Sequence, residues 1–125
     1  MLGFVKVGAA VPRLRLADCT YNKEQIVEMA KDAAAKGVRV LTFPELCITG
    51  YTCADLFMQK TLLHAAEKAV KEIADQTKEL DLFFVIGVPV ALDSQAFNCA
   101  VAIYKGEILG MVPKTHLPNY KEFAE

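Results

Sequence analysis

The stretch Val38–Leu46, VRVLTFPEL, decides how the rest of the chain is read. Its first six residues, Val38–Phe43, form an apolar, β-branched run, the pattern of a buried strand. Pro44 then fixes the direction in which the chain leaves the sheet. Glu45 follows at once, so a carboxylate stands just past the carboxyl end of a buried strand, where open α/β sheets place their sites.

Working outward from that strand, the upstream segment reads as strand then helix. GFVKVGAAV (Gly3–Val11) is a buried-strand candidate stopped by Pro12. Asn22-Lys-Glu-Gln25 offers a capping box, with the Asn side chain capping a helix start and Gln25 reaching back. Ile26, Met29, Ala30 and Ala33 recur at helical spacing, and Gly37 ends the helix. Downstream, Pro44–Asp55 reads as a loop. A long helix follows, with Leu62, Ala66, Ala69, Ile73 and Leu80 on one face and Lys68, Lys71, Glu72 and Glu79 opposite. LFFVIGV (Leu82–Val88) is a third apolar strand, closed by Pro89. Phe97–Tyr104 and Glu107–Val112 flank Lys105-Gly106, a tight-turn signal that makes them an antiparallel hairpin. Pro113–Glu125 reads as loop. Strands that alternate with two helices, then a β-hairpin, imply an α/β fold with parallel pairing.

Composition bounds the function. The chain has 125 residues, 54% hydrophobic and 23% charged, enough for one domain with a core of its own. Fourteen Lys and Arg stand against 15 Asp and Glu, scattered in mixed sign, so no basic stripe marks a nucleic-acid partner. The apolar stretch around Leu80–Leu92 is interrupted by Asp81, Gly87 and Pro89, short of the roughly 20 residues a membrane span needs. The first residues lack a basic leader and an Ala-x-Ala exit. Cys19, Cys47, Cys53 and Cys99 show no paired spacing and read as reduced, buried thiols of a cytoplasmic protein.

Several chemistries fall away. There is no glycine-rich phosphate loop and no metal-ligand pattern, His64 and His116 being far apart. Ser94, the only serine, is not in a nucleophile elbow. Glu45 remains: walled by Phe43 and Leu46, it can act as a general base if burial raises its pKa, and the plainer alternative is a solvated loop acid. Val112-Pro113-Lys114 repeats the arrangement with opposite charge. A lysine fixed at that strand end can stabilise an oxyanion; the plainer alternative is a surface lysine.

Two stretches, FPELCITGYTCADLF (Phe43–Phe57) and VPKTHLPNYKEFAE (Val112–Glu125), together resemble the nitrilase, or carbon–nitrogen hydrolase, superfamily. Within it they look most like the amino-terminal glutaminase domains of glutamine-dependent NAD⁺ synthetases. The resemblance implies a nitrilase-like α-β-β-α sandwich of which residues 1–125 are only the first part, since such a domain takes roughly 200–250 residues. It implies a Glu-Lys-Cys triad in which Glu45 matches the general base and Lys114 the oxyanion-stabilising lysine. Glu125 matches a supporting acid behind them, and Tyr120 a wall of the glutamine pocket. No residue matches the nucleophilic cysteine, so the chain by itself is expected to be inactive. Ala124 and His116 depart from the tyrosines expected at their positions; neither is a triad position.

The same resemblance implies glutamine as substrate and no metal or organic cofactor for this part. ATP and nicotinic acid adenine dinucleotide would be used by a separate synthetase domain that this sequence does not include. It also implies association with further copies of the chain. Two alternatives stay open: a piece of a stand-alone nitrilase-type amidase, and a non-catalytic assembly module on the same scaffold.

Overall fold

A computed structural model of the chain describes residues 3–49, 60–92 and 95–113. Seven elements run in the order β1 (Val7–Ala9), α1 (Cys19–Ala35), β2 (Val40–Thr42), α2 (Lys60–Gln76), β3 (Phe83–Leu92), β4 (Gln95–Tyr104) and β5 (Glu107–Pro113). The five strands form one sheet in sequential order. β1, β2 and β3 pair in parallel, joined by the two helical crossovers, while β3, β4 and β5 pair antiparallel. The alternation of apolar strands and amphipathic helices demanded this mixed sheet, because parallel neighbours need long connections and antiparallel ones need only turns.

The register sorts the residues into two faces. Gly8, Leu41, Phe84 and Ile103 lie side by side across four strands. Leu41, Phe84 and Ile103 are buried in the core with Ile26, Ala30, Ala66 and Ile73 of the helices. Their sequence neighbours Val7, Val40, Phe83 and Tyr104 share the opposite face. The helices are tied together by a Lys23–Glu72 ion pair at 3.1 Å.

Four expectations change. The buried strand read over Gly3–Val11 is only the three-residue β1, and Val5, Val7 and Val11 are exposed because β1 is an edge of the sheet. The first helix starts at Cys19, not Asn22, and its cap is Asp18, whose carboxylate accepts from the Tyr21 N–H at 3.0 Å. Asn22 lies one turn inside the helix and is fully buried, which frees its amide for tertiary hydrogen bonds instead of a capping box. β3 runs through Pro89 to Leu92 rather than closing before it. Beyond Val85 the strand has no β2 partner, so the missing proline N–H removes no bond from the parallel ladder. The second helix ends at Gln76, with buried Thr77 donating its hydroxyl to the Ile73 carbonyl at 2.8 Å, so Leu80 reaches the core from a turn instead of the helix face.

Other local expectations hold. Gly37 has φ +86° and closes α1 with the Gly37 N–H on Ala34 O and the Val38 N–H on Ala33 O, both at 3.0 Å. That pair of bonds is a Schellman cap, which needs the left-handed conformation glycine tolerates. The Lys105-Gly106 turn has positive φ at both positions, +49° and +87°, the twist that a two-residue hairpin requires.

Candidate functional site

The candidate carboxylate, Glu45, is placed by the turn that leaves β2. Phe43 continues the ladder for one more bond, its N–H donating to Val85 O at 2.9 Å, and its ring meets Phe84 edge-on at 6.1 Å. Residues 45–49 then form a tight turn in which Leu46 takes a left-handed conformation, φ +52°. Leu46, Cys47, Ile48 and Thr49 are buried, whereas Glu45 is exposed. The turn therefore buries its four following side chains and presents its carboxylate to solvent.

Two anchors hold this turn. Ile48 donates its N–H to Gly87 O at 3.3 Å, and the Gly87 N–H points at Cys47 Sγ, 3.4 Å away. From the helical side, Asn22 Nδ2 donates to the carbonyl oxygens of Ile48 and Arg15, each at 2.8 Å, and Asn22 Oδ1 accepts the Arg15 N–H at 2.7 Å. A further strap joins Ala17 N–H to Thr49 O at 2.7 Å. Nothing in the residue pattern around Asn22 separates this role from the cap it resembles. Gly87 carried a readable signal, since an isolated glycine inside an apolar strand marks a close backbone approach.

Glu45 borders a cleft of about 270 Å³ that Phe43, Pro44, Gly87, Ala100, Val112 and Pro113 also line. The cleft floor is small because Gly87 pairs with Ala100, and Ala100 pairs in turn with Val112. β5 thus delivers its last described residue, Pro113, to the same cleft as Glu45. Lys114, Tyr120 and Glu125, the other site residues expected from sequence, lie outside the described residues, as does Cys53.

Cys47 and Cys99 are not activated thiols. Burial pushes Cys47 up to about 12 from an ordinary 9.0, outweighing the stabilising contact with Gly87. Burial also raises Cys99. A nucleophilic cysteine needs the reverse shift, toward thiolate. Among the described residues no three His, Cys, Asp or Glu side chains converge in a way that would hold a metal ion.

The carbon–nitrogen hydrolase family pattern matches residues 6–125. The chain belongs to the carbon–nitrogen hydrolase family. Among its relatives, the glutamine-dependent NAD⁺ synthetase of Mycobacterium leprae is 37% identical over 123 residues, 98% of this chain but 18% of that protein. The enzyme of the same name from Aquifex aeolicus is 34% identical over 110 residues, 88% of this chain and 19% of the relative. The crystal structure of a glutamine-dependent NAD⁺ synthetase from Cytophaga hutchinsonii superposes with a TM-score of 0.85 at 30% identity, covering 92% of this chain and 20% of that one. The Nesterenkonia AN1 amidase of the nitrilase superfamily shares the fold, with a TM-score of 0.78 at 22% identity over 93% of this chain and 45% of its own. The chain thus spans about a fifth of the length of the synthetases it matches. The expected α/β architecture, strands alternating with two helices and then a hairpin, is that of this hydrolase family.

Proposed function

We propose that this chain is the front part of a glutamine amidohydrolase domain that supplies ammonia to an NAD⁺ synthetase, with Glu45 as its general base. The observation that carries the proposal is the convergence of Glu45 and the end of β5 on one small cleft, in a chain similar along nearly its whole length to glutamine-dependent NAD⁺ synthetases. Lys114 follows Pro113 directly, so a cation enters the sequence where that cleft is bordered.

In this reading Glu45 takes the proton of a cysteine thiol supplied by sequence outside this chain. The thiolate attacks the side-chain amide carbon of glutamine, and Lys114 stabilises the oxyanion that forms. Collapse of that intermediate breaks the C–N bond, with Glu45 giving the proton it took to the departing nitrogen, and releases ammonia. Water then cleaves the thioester to give glutamate and return the thiol. Glu125 supports the two charged residues from behind, and Tyr120 walls the substrate pocket. This half of the chemistry uses no metal or organic cofactor. The ammonia serves ATP-dependent amidation of nicotinic acid adenine dinucleotide in a separate domain, which makes the whole enzyme a ligase. The working protein is cytoplasmic and assembles as a homo-oligomer.

A stand-alone amidase is the second reading, favoured by the shared fold of the Nesterenkonia enzyme, but identity to the synthetases is higher. The test is made on the complete translation product of the gene. Glutamine should yield ammonia, Glu45→Gln should lower that rate by roughly 10²–10⁴, the usual contribution of a positioned general base, and ammonia supplied directly should restore NAD⁺ formation. Full glutaminase activity in Glu45→Gln would overturn the assignment of the base. Ammonia release with no ATP-dependent NAD⁺ formation would favour the amidase.

A further inference from the structure

The hydrogen bonds and close approaches around the turn at residues 45–49 single out two residues, Gly87 in the cleft wall and the buried Asn22, neither of which has a side-chain group that could take part in the chemistry at the cleft. A Cβ at position 87 would lie 2.7 Å from both the Glu45 Cα and its carbonyl carbon, and would collide with the Leu46 backbone nitrogen. These are backbone atoms, so no rotamer change relieves the clash. Other sheet glycines differ. A Cβ at Gly8 would meet the far end of a leucine side chain at 3.3 Å, and one at Gly110 would meet nothing within 4 Å. Only at Gly87, among these three strand positions, does the sheet receive a crossing backbone.

On the other side stands Asn22, whose fully buried amide makes three hydrogen bonds to the backbone of Arg15 and Ile48. Its carboxamide spends its full two-donor capacity on two chain segments far apart in sequence. Gly87 sets how closely the turn approaches β3, and Asn22 fixes where the turn stands relative to α1.

We propose that Gly87 and Asn22 are positioning residues for Glu45, setting the depth and orientation at which its carboxylate enters the cleft. The proposal rests on reading Glu45 as the general base. Proton transfer needs that carboxylate within hydrogen-bond reach of the thiol, and a misplacement of about 1 Å can cost roughly a hundredfold in rate. Alanine at 87 moves Glu45 outward from β3. Asn22→Asp keeps the size of the side chain and its acceptor but removes both donors, releasing Ile48.

The experiment has two arms. In the complete gene product, Gly87→Ala and Asn22→Asp should each lower kcat for ammonia release by roughly tenfold to a hundredfold while KM changes little, the pattern of a lost transition-state contact. The acid limb of the pH–rate profile should shift as well, because it reports the base. Gly110→Ala, the same chemical change in open space, should leave kcat unchanged. In the same complete gene product, hydrogen exchange should show the Ile48 amide losing protection in both variants while amides of the β3–β4 ladder keep theirs. Wild-type kcat in a folded variant overturns the proposal. So does simultaneous loss of protection at Ile48 and across β3–β4, since the two residues would then support the fold as a whole. If Glu45→Gln is fully active, it is the reading of Glu45 as the base that fails; if only Glu45→Gln is impaired, it is the positioning claim.

Discussion

At the scale of single residues, Cys47 shows how a thiol becomes a structural group. Packed against the Gly87 backbone, it is held protonated up to about 12, while in the unfolded chain it would ionise near 9.0. Between those values the unfolded state releases a proton that the folded state keeps, so folding stability falls as pH rises. The slope from this one group is at most about 1.4 kcal/mol per pH unit. Chemical denaturation from pH 8 to 11 should show the stability advantage of the native chain over Cys47→Ala constant up to about pH 9 and shrinking above it. An advantage that stays level through pH 11 would contradict the burial of the thiol. The same protonation predicts that Cys47 resists alkylation in the folded chain and reacts once it unfolds.

At the scale of elements, the first helix separates two readings of one local pattern. Asn22 and Gln25 have capping-box spacing, yet the cap is Asp18, four residues earlier, and the helix runs on through Asn22. Asp18→Ala should therefore cost about 1 kcal/mol, the usual loss of an N-cap, without altering the site. Asn22→Ala should cost more, because it leaves the buried Ile48 carbonyl and the part-buried Arg15 backbone groups without their partners, at about 1–3 kcal/mol for the buried one. Thermal denaturation of the pair checks the order; equal losses would return Asn22 to the role of a simple helix residue. The opposite end of α1 was legible because a Schellman cap depends on one local torsion that glycine supplies. The N-terminus was not, because Asp and Asn both cap well and only burial chooses between them.

At the scale of the whole molecule, one sheet face is covered by α1 and α2, and the other carries exposed apolar side chains. Val7 on β1 is 66% exposed and Val112 on β5 is 67% exposed, at opposite edges of the sheet. Large apolar side chains left exposed on one face favour association. Sedimentation of the 125-residue chain should reveal species larger than a monomer whose population rises with concentration. Val7→Lys together with Val112→Lys should shift that equilibrium toward monomer. A dilution-stable monomer in the native chain would contradict the expectation.

The alternation of apolar runs with amphipathic helices determined the α/β class, the parallel pairing of the first three strands and the final hairpin. Each follows from periodicity and turn chemistry, which act over a few residues. The sequence also placed Glu45 past a strand end, since Pro44 acts on its immediate neighbour. Only the tertiary structure decided that β3 would run through Pro89, because that depends on where β2 stops. It alone decided that Gly87 and Asn22 would meet at the Glu45 turn, 42 and 23 residues from that glutamate along the chain. A glycine inside an apolar strand signals that some backbone comes close, but which segment it is appears only when the packed sheet brings the backbone of one crossover against the glycine of the next strand.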